Sequence, residues 1–194
     1  MRRFVDRFAL KPEATVLDVG GSPFIWELSP VLPKRLVLLN LNIEDFALVS
    51  WVQALQGDAC SVPVPDKAFD VVFSNSVIEH LGSTERQGQF ARECYRCGKE
   101  FFIQTPNKWF PVDTHTLFLF VHWWPRVFRR ILKWSPRALI SKPSSSELED
   151  WRNLRLLDKA GLQQLFPDAE IISERFCGIP KSLIAVSRRR ATSP

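Results

Sequence analysis

The chain has 194 residues, 45% of them hydrophobic and 24% charged, with 15 Phe and 7 Trp. That length suits one α/β domain burying roughly 70% of the surface its unfolded chain exposes, and the ordinary composition excludes a fibrous or wholly disordered chain. The net charge of +5 is uneven: residues 1–100 carry 11 Lys and Arg against 13 Asp and Glu, whereas residues 101–194 carry 15 against 8, which points any anionic partner to the second half. Cys60, Cys94, Cys97 and Cys177 form no pair of CxxC motifs, so no disulfide framework and no metal are expected. Apolar runs end far short of the ~20 residues that span a bilayer. With Asp6 and Arg7 interrupting the N-terminal apolar residues, no signal peptide is read and a cytoplasmic location is expected.

Along the chain, five short apolar runs predict buried strands: Thr15–Val19, Leu36–Leu41, the weaker Ala54–Gln56, Phe69–Ser74 and Glu100–Gln104. They alternate with helical patterns, which implies βαβ units and a parallel sheet covered on both faces. A helix is predicted over Asn153–Phe166, then strands over Ala169–Glu174 and Lys181–Ser187. The Cys177-Gly178-Ile179-Pro180 link makes these an antiparallel hairpin. The fold class is therefore α/β, a Rossmann-like three-layer sandwich with a mostly parallel sheet and a C-terminal antiparallel strand pair. Residues 1–187 form one domain, and the Arg188-Arg189-Arg190 tail is expected to be disordered. The Ser-rich stretch Lys142–Glu147 is expected to be a surface loop.

Ligands of such sheets bind beyond the carboxyl ends of the strands. There the chain places Asp18-Val19-Gly20-Gly21, Asn40, Gly57-Asp58-Ala59, Asn75 and Thr105-Pro106-Asn107. Gly20 and Gly21 let a ligand approach the backbone. A nicotinamide site would need GxGxxG and an acid about 20 residues on, where this chain has Ser22-Pro23-Phe24 and Asn40. No GxxxxGK phosphate loop is present.

The ordered run Asp58-Ala-Cys-Ser-Val-Pro63, Asp66-Lys-Ala-Phe-Asp70 and Val71-Val-Phe-Ser-Asn-Ser-Val-Ile-Glu-His80, together with the Asp18 turn, resembles the class I S-adenosylmethionine-dependent methyltransferases of the type 11 group. The resemblance implies that S-adenosylmethionine is the cofactor and S-adenosylhomocysteine the product. It implies that Asp18, Gly20 and Gly21 cradle the methionine end, Asn40 meets the ribose hydroxyls, Asp58 and Ala59 contact the adenine, and Asn75 flanks the methionine end. Methyl transfer depends first on positioning. A hydroxyl acceptor would also use a base, for which His115, Asp113 and His80 are the candidates, with Glu79 beside them. The expected acceptor is a metabolite, glycan or lipid-linked molecule, and nucleic acid is not favoured because no nucleic-acid-binding module is seen. The alternative is a non-catalytic protein of the same fold serving as a binding partner. Ser22, Phe24 and Asn40, standing where relatives usually carry glycines and an acid, suggest it.

Residues 108–147 read as an insert that covers the site, meets the substrate or faces a membrane. Within it, Pro125–Arg137 predicts one amphipathic helix with Arg126, Arg129, Arg130, Lys133 and Arg137 opposite Val127, Phe128, Ile131 and Leu132. Phe118, Phe120, Trp123 and Trp124 precede it. A basic helix beside aromatics suits peripheral contact with an anionic membrane through residues 117–137, at the inner membrane face.

Overall fold

The computed structural model describes residues 1–43, 51–113 and 115–187. Seven strands form one sheet: β1 (Thr15–Val19), β2 (Arg35–Asn40), β3 (Gln53–Gln56), β4 (Phe69–Asn75), β5 (Gly98–Pro106), β6 (Ala169–Phe176) and β7 (Ile179–Ser187). Their order is β3-β2-β1-β4-β5-β7-β6. The first five pair in parallel, while β7 runs antiparallel to both β5 and β6. All seven expected strands are present, including the weak third one. Cys177 and Gly178, both at positive φ, make the two-residue turn of the β6–β7 hairpin, a geometry whose twist matches that of the strands it joins.

Alternation along β1 explains the two cores. Leu17 and Val19 face Val37, Leu39, Val72 and Ile103 beneath α3 (Thr84–Cys97) and α7 (Lys159–Leu165). Val16 faces the opposite layer, where Phe4 of α1 (Arg2–Phe8) and Trp26 of α2 (Pro23–Glu27) meet Phe73 and Phe102. Phe4, Trp26, Phe73 and Phe102 form an aromatic cluster with ring centroids 4.8–5.9 Å apart. Asp18 shares the parity of Val16 and so points into this aromatic layer.

Two helical expectations and one loop need correction. The single helix over Pro125–Arg137 is broken into α4 (Pro125–Ile131), a 3₁₀ turn at Leu132–Trp134 and α5 (Pro136–Ser141). Pro136 forces Ser135 into an extended conformation at ψ 148°. Of the apolar face, Phe128 and Leu132 turn inward, whereas Val127 is exposed. The Ser-rich stretch is not simply a loop, since Ser144 and Glu147 form a reciprocal capping box that starts α6 (Ser145–Arg152). The helix expected over Asn153–Phe166 begins only at Lys159. The preceding residues bond elsewhere: the Arg155 N–H donates to the Glu79 carbonyl, and Leu157 accepts from the Lys108 N–H. Arg188-Arg189-Arg190 lies outside the described residues.

Candidate functional site

Strand β1 has neighbours on both sides, β2 and β4, so the chain order reverses there and a crevice opens at the carboxyl edge. A cleft of about 430 Å³ lies there, its wall including Gly20, Asn40, Asp58, Ala59, His80 and Arg86. That volume falls within the range of small-molecule sites. Four of the seven expected cofactor residues, Gly20, Asn40, Asp58 and Ala59, line it directly.

Asp18 and Gly21 stand behind the wall. The Trp26 Nε1–H donates to Asp18 Oδ2 at 2.7 Å, while Oδ1 is buried with no hydrogen-bond partner among the described residues. Burial pushes the Asp18 carboxyl up from 3.8 to about 7, against the opposing Trp26 hydrogen bond. Gly20 sits at φ 71°, in the left-handed region that glycine enters without strain. A Cβ on Gly21 would lie 1.9 Å from Asp18 Oδ2, so the turn can close over the carboxylate only with glycine there. The Asn40 amide donates to the Gly21 carbonyl at 3.0 Å, tying β2 to the turn.

On the opposite wall, Asp58 Oδ1 accepts from the Cys60 N–H at 2.9 Å, and Arg86 Nη2 donates to both carboxylate oxygens at 2.9 and 3.1 Å. The Cys60 backbone bond, with help from Arg86, holds the Asp58 carboxyl below its ordinary range. Asn75 ends β4, half-buried, and accepts from the Ser76 hydroxyl; it is not part of the cleft wall.

A second group of polar side chains adjoins the cleft. After β4, Ser76 takes φ 60° and the chain makes a 3₁₀ turn over Ile78–His80. This turn buries Glu79 completely and leaves His80 on the cleft wall. Thr105 of β5 donates to Glu79 Oε2 at 2.9 Å, and Oε1 has no hydrogen-bond partner among the described residues. Burial raises the Glu79 carboxyl above its ordinary value, partly opposed by His115 and Thr105. His115 arrives from the loop after β5 and places Nε2 3.1 Å from His80 Nε2 and 3.8 Å from Glu79 Oε1. Its Nδ1 lies 3.4 Å from Asp113 Oδ1. Asp113 in turn accepts from the Thr116 N–H at 3.0 Å and from the Thr116 hydroxyl. Burial alone would raise Asp113, but hydrogen bonds from His115 and Thr116 outweigh it and hold the carboxyl below its ordinary range. Partial withdrawal of its ring from water, with His115 alongside, holds His80 below its ordinary value although the residue as a whole stays exposed. The three candidate base residues therefore form one file, Asp113–His115–His80, ending on the cleft.

Sequence reasoning missed Trp26, on the helix that follows β1, and Arg86, 28 residues from Asp58, which hold the two acidic residues. No local pattern announces either contact. Glu79 stood beside the candidates, but its bond to Thr105 depends on β4 and β5 being neighbours.

Comparison with known proteins follows the same lines. Residues 33–100 match the methyltransferase domain family. A protein of Mycolicibacterium smegmatis described as a probable S-adenosylmethionine-dependent methyltransferase is 40% identical over 104 residues, covering 48% of this chain and 38% of that protein. The aligned region thus spans well under half of that relative's length. Among solved structures, an S-adenosylmethionine-dependent methyltransferase of Aquifex aeolicus superposes with TM-score 0.54 at 15% identity, covering 95% of this chain and 87% of that one. A Haloferax volcanii methyltransferase, in complex with the Trm112 methyltransferase activator, gives TM-score 0.60 at 16% identity, covering 95% and 86%. At such identities the superpositions speak for the fold.

Proposed function

We propose that the chain is a class I S-adenosylmethionine-dependent methyltransferase that transfers the methyl group of S-adenosylmethionine to a metabolite, glycan or lipid-linked acceptor. The observation that carries this reading is the cleft at the β1 crossover, walled by Gly20, Asn40, Asp58 and Ala59.

These residues fit that cofactor. A Cβ at Gly20 or Gly21 would strike Val77 or the Asp18 carboxyl, so only glycines let the turn close on the cleft edge, and the buried Asp18 carboxyl behind it has an oxygen without a partner among the described residues. Asn40 offers an amide suited to vicinal hydroxyls, and the backbone at Asp58–Ala59 suits an adenine edge. When bound, S-adenosylmethionine supplies a methyl group on a positively charged sulfur that departs as a neutral thioether. The protein's part is orientation. Asn40 and the Gly20–Gly21 turn fix one end of the cleft. Arg86 fixes the Asp58 carboxylate at the other, and His80 marks the acceptor side. Holding two reactants in line in this way supplies much of a displacement's rate.

The insert 108–147 brings His115 against His80 and is assigned the acceptor side. Its exposed aromatic and basic residues between Trp124 and Ile140 support peripheral contact with an anionic membrane. No helix among the described residues is long and apolar enough to cross a membrane.

Calorimetric titration with S-adenosylmethionine and S-adenosylhomocysteine tests the reading. Saturable binding, weakened at least about tenfold by Asn40→Ala, is expected, since losing a hydrogen-bonded contact of this kind costs on the order of 1.5 kcal/mol. No binding at millimolar S-adenosylhomocysteine would overturn it and leave the non-catalytic partner as the better reading.

A further inference from the structure

We propose that Glu79, His80 and His115 form a binding site for a divalent first-row transition cation, with zinc as the simplest occupant. One carboxylate oxygen and two imidazole nitrogens from these residues all lie within 4.8 Å of one another. Metal–ligand bonds of ~2.0–2.1 Å place tetrahedral donors roughly 3.3 Å apart. The His80–His115 separation of 3.1 Å and the His115–Glu79 separation of 3.8 Å lie on either side of that value.

Two further observations point to a cation. Glu79 is fully buried, yet its Oε1 has no hydrogen-bond partner among the described residues while Oε2 is held by Thr105. Leaving a buried carboxylate oxygen unpaired is costly, and an ion between Oε1 and the imidazoles would satisfy it. His115 is also oriented as metal-binding histidines are: Nδ1 lies toward the Asp113 carboxylate at 3.4 Å, while Nε2 faces Glu79 and His80. Asp113 is itself fixed by Thr116.

The donor set selects the ion. Two imidazoles and one carboxylate suit zinc and its transition-metal neighbours, whereas magnesium and calcium prefer all-oxygen sites. Three protein donors leave a coordination position open, as in sites where a metal binds water or substrate. Because His80 belongs both to this cluster and to the cleft wall, a bound ion would lie at the acceptor end of the cleft. This last point rests on the methyl-transfer reading, but cation binding does not.

The test uses the full chain in a Cys177→Ser background, which removes the exposed thiol. The protein is stripped with chelator and titrated with zinc by calorimetry and with cobalt(II) by visible absorption. One equivalent of zinc and a cobalt spectrum with d–d bands are expected. Binding should weaken at least about tenfold in His115→Ala and Glu79→Gln, and by roughly 10–100-fold in Asp113→Asn, the expected cost of removing a partner that orients a ligand. His122→Ala should leave it unchanged. Circular dichroism of each variant separates loss of the site from loss of the fold. No zinc uptake by folded protein, or uptake unaltered by His115→Ala and Glu79→Gln, would overturn the proposal and leave the His80–His115 contact as a plain hydrogen bond. Titrating the same samples with S-adenosylhomocysteine keeps the two readings apart. Nucleoside binding without zinc binding removes only the cation site, and zinc binding without nucleoside binding removes only the methyl-transfer reading.

Discussion

His80 and His115, 35 residues apart in sequence, bring their Nε2 atoms within 3.1 Å of each other. One comes from the turn after β4 and the other from the loop after β5, so the contact exists only because those strands are neighbours in the sheet. Of the pair, His80 alone belongs to the cleft wall. Binding of S-adenosylhomocysteine and events on the acceptor side should therefore separate. His115→Ala is expected to leave S-adenosylhomocysteine affinity within about twofold, a change under roughly 0.5 kcal/mol, whereas Asn40→Ala weakens it. Calorimetry on both variants reads this directly, and a large loss of affinity in His115→Ala would place His115 at the nucleoside instead.

Asp18 should make stability depend on pH. Its folded carboxyl is raised to about 7 from 3.8 by burial. Between about pH 4 and 7 the unfolded chain has lost this proton while the folded chain keeps it. Raising the pH through that window therefore favours unfolding, by at most about 1.4 kcal/mol per pH unit. Above about 7 the penalty is constant. Glu79, also raised, adds in the same direction, so only part of the slope should vanish in Asp18→Asn. Urea unfolding between pH 4.5 and 8 checks this, and an Asp18→Asn slope equal to that of the wild type would contradict it.

The turn over Asp18 gives a sharper expectation. A methyl group on Gly21 would lie 1.9 Å from the Asp18 carboxylate, which Trp26 holds in place and which has no room to retreat. Gly21→Ala should cost on the order of 1–3 kcal/mol, the usual range for overpacking, and lower Tm by several degrees. By contrast, an added Cβ at Gly82 meets nothing within 4 Å, so Gly82→Ala should carry only the strain of its positive φ, about 1 kcal/mol. Thermal melts of the two variants compare the effects, and equal losses would mean that the Gly21 turn relaxes freely.

Much of this site was legible in the sequence because buried parallel strands appear as apolar runs and their carboxyl ends as small or polar residues. That logic places Gly20, Asn40, Asp58 and Ala59 on one edge from the sequence alone. It could not place Trp26 or Arg86, whose contacts arise from layers packing onto the sheet rather than from spacing along a strand. The break between α4 and α5 was readable in principle, since Ser135 precedes Pro136. There the charge periodicity masked a backbone signal that outweighs it. The Ser144–Glu147 capping box was hidden in the same way by its loop-like composition.

The broken helix alters the form of the membrane proposal but keeps its chemistry. Trp124, Val127, Trp134, Leu139 and Ile140 are exposed, the last at 78%, and Arg126, Arg130, Lys133 and Arg137 are exposed among them. Such a run of large apolar side chains facing water marks an interaction surface. Interspersed cations favour an anionic one, at about 1 kcal/mol per residue near a charged leaflet. The protein should therefore sediment with phosphatidylserine-containing vesicles at low salt and be released as salt shortens the screening length. Replacing Trp124 and Trp134 by Ser should weaken binding at every salt concentration, because the apolar contribution is not screened. Replacing Arg126, Arg130 and Lys133 by Gln should remove mainly the salt-sensitive part. Equal binding to neutral and anionic vesicles would remove the part assigned to the cations, and binding to neither would eliminate the membrane and leave these aromatic residues as a docking face for another protein.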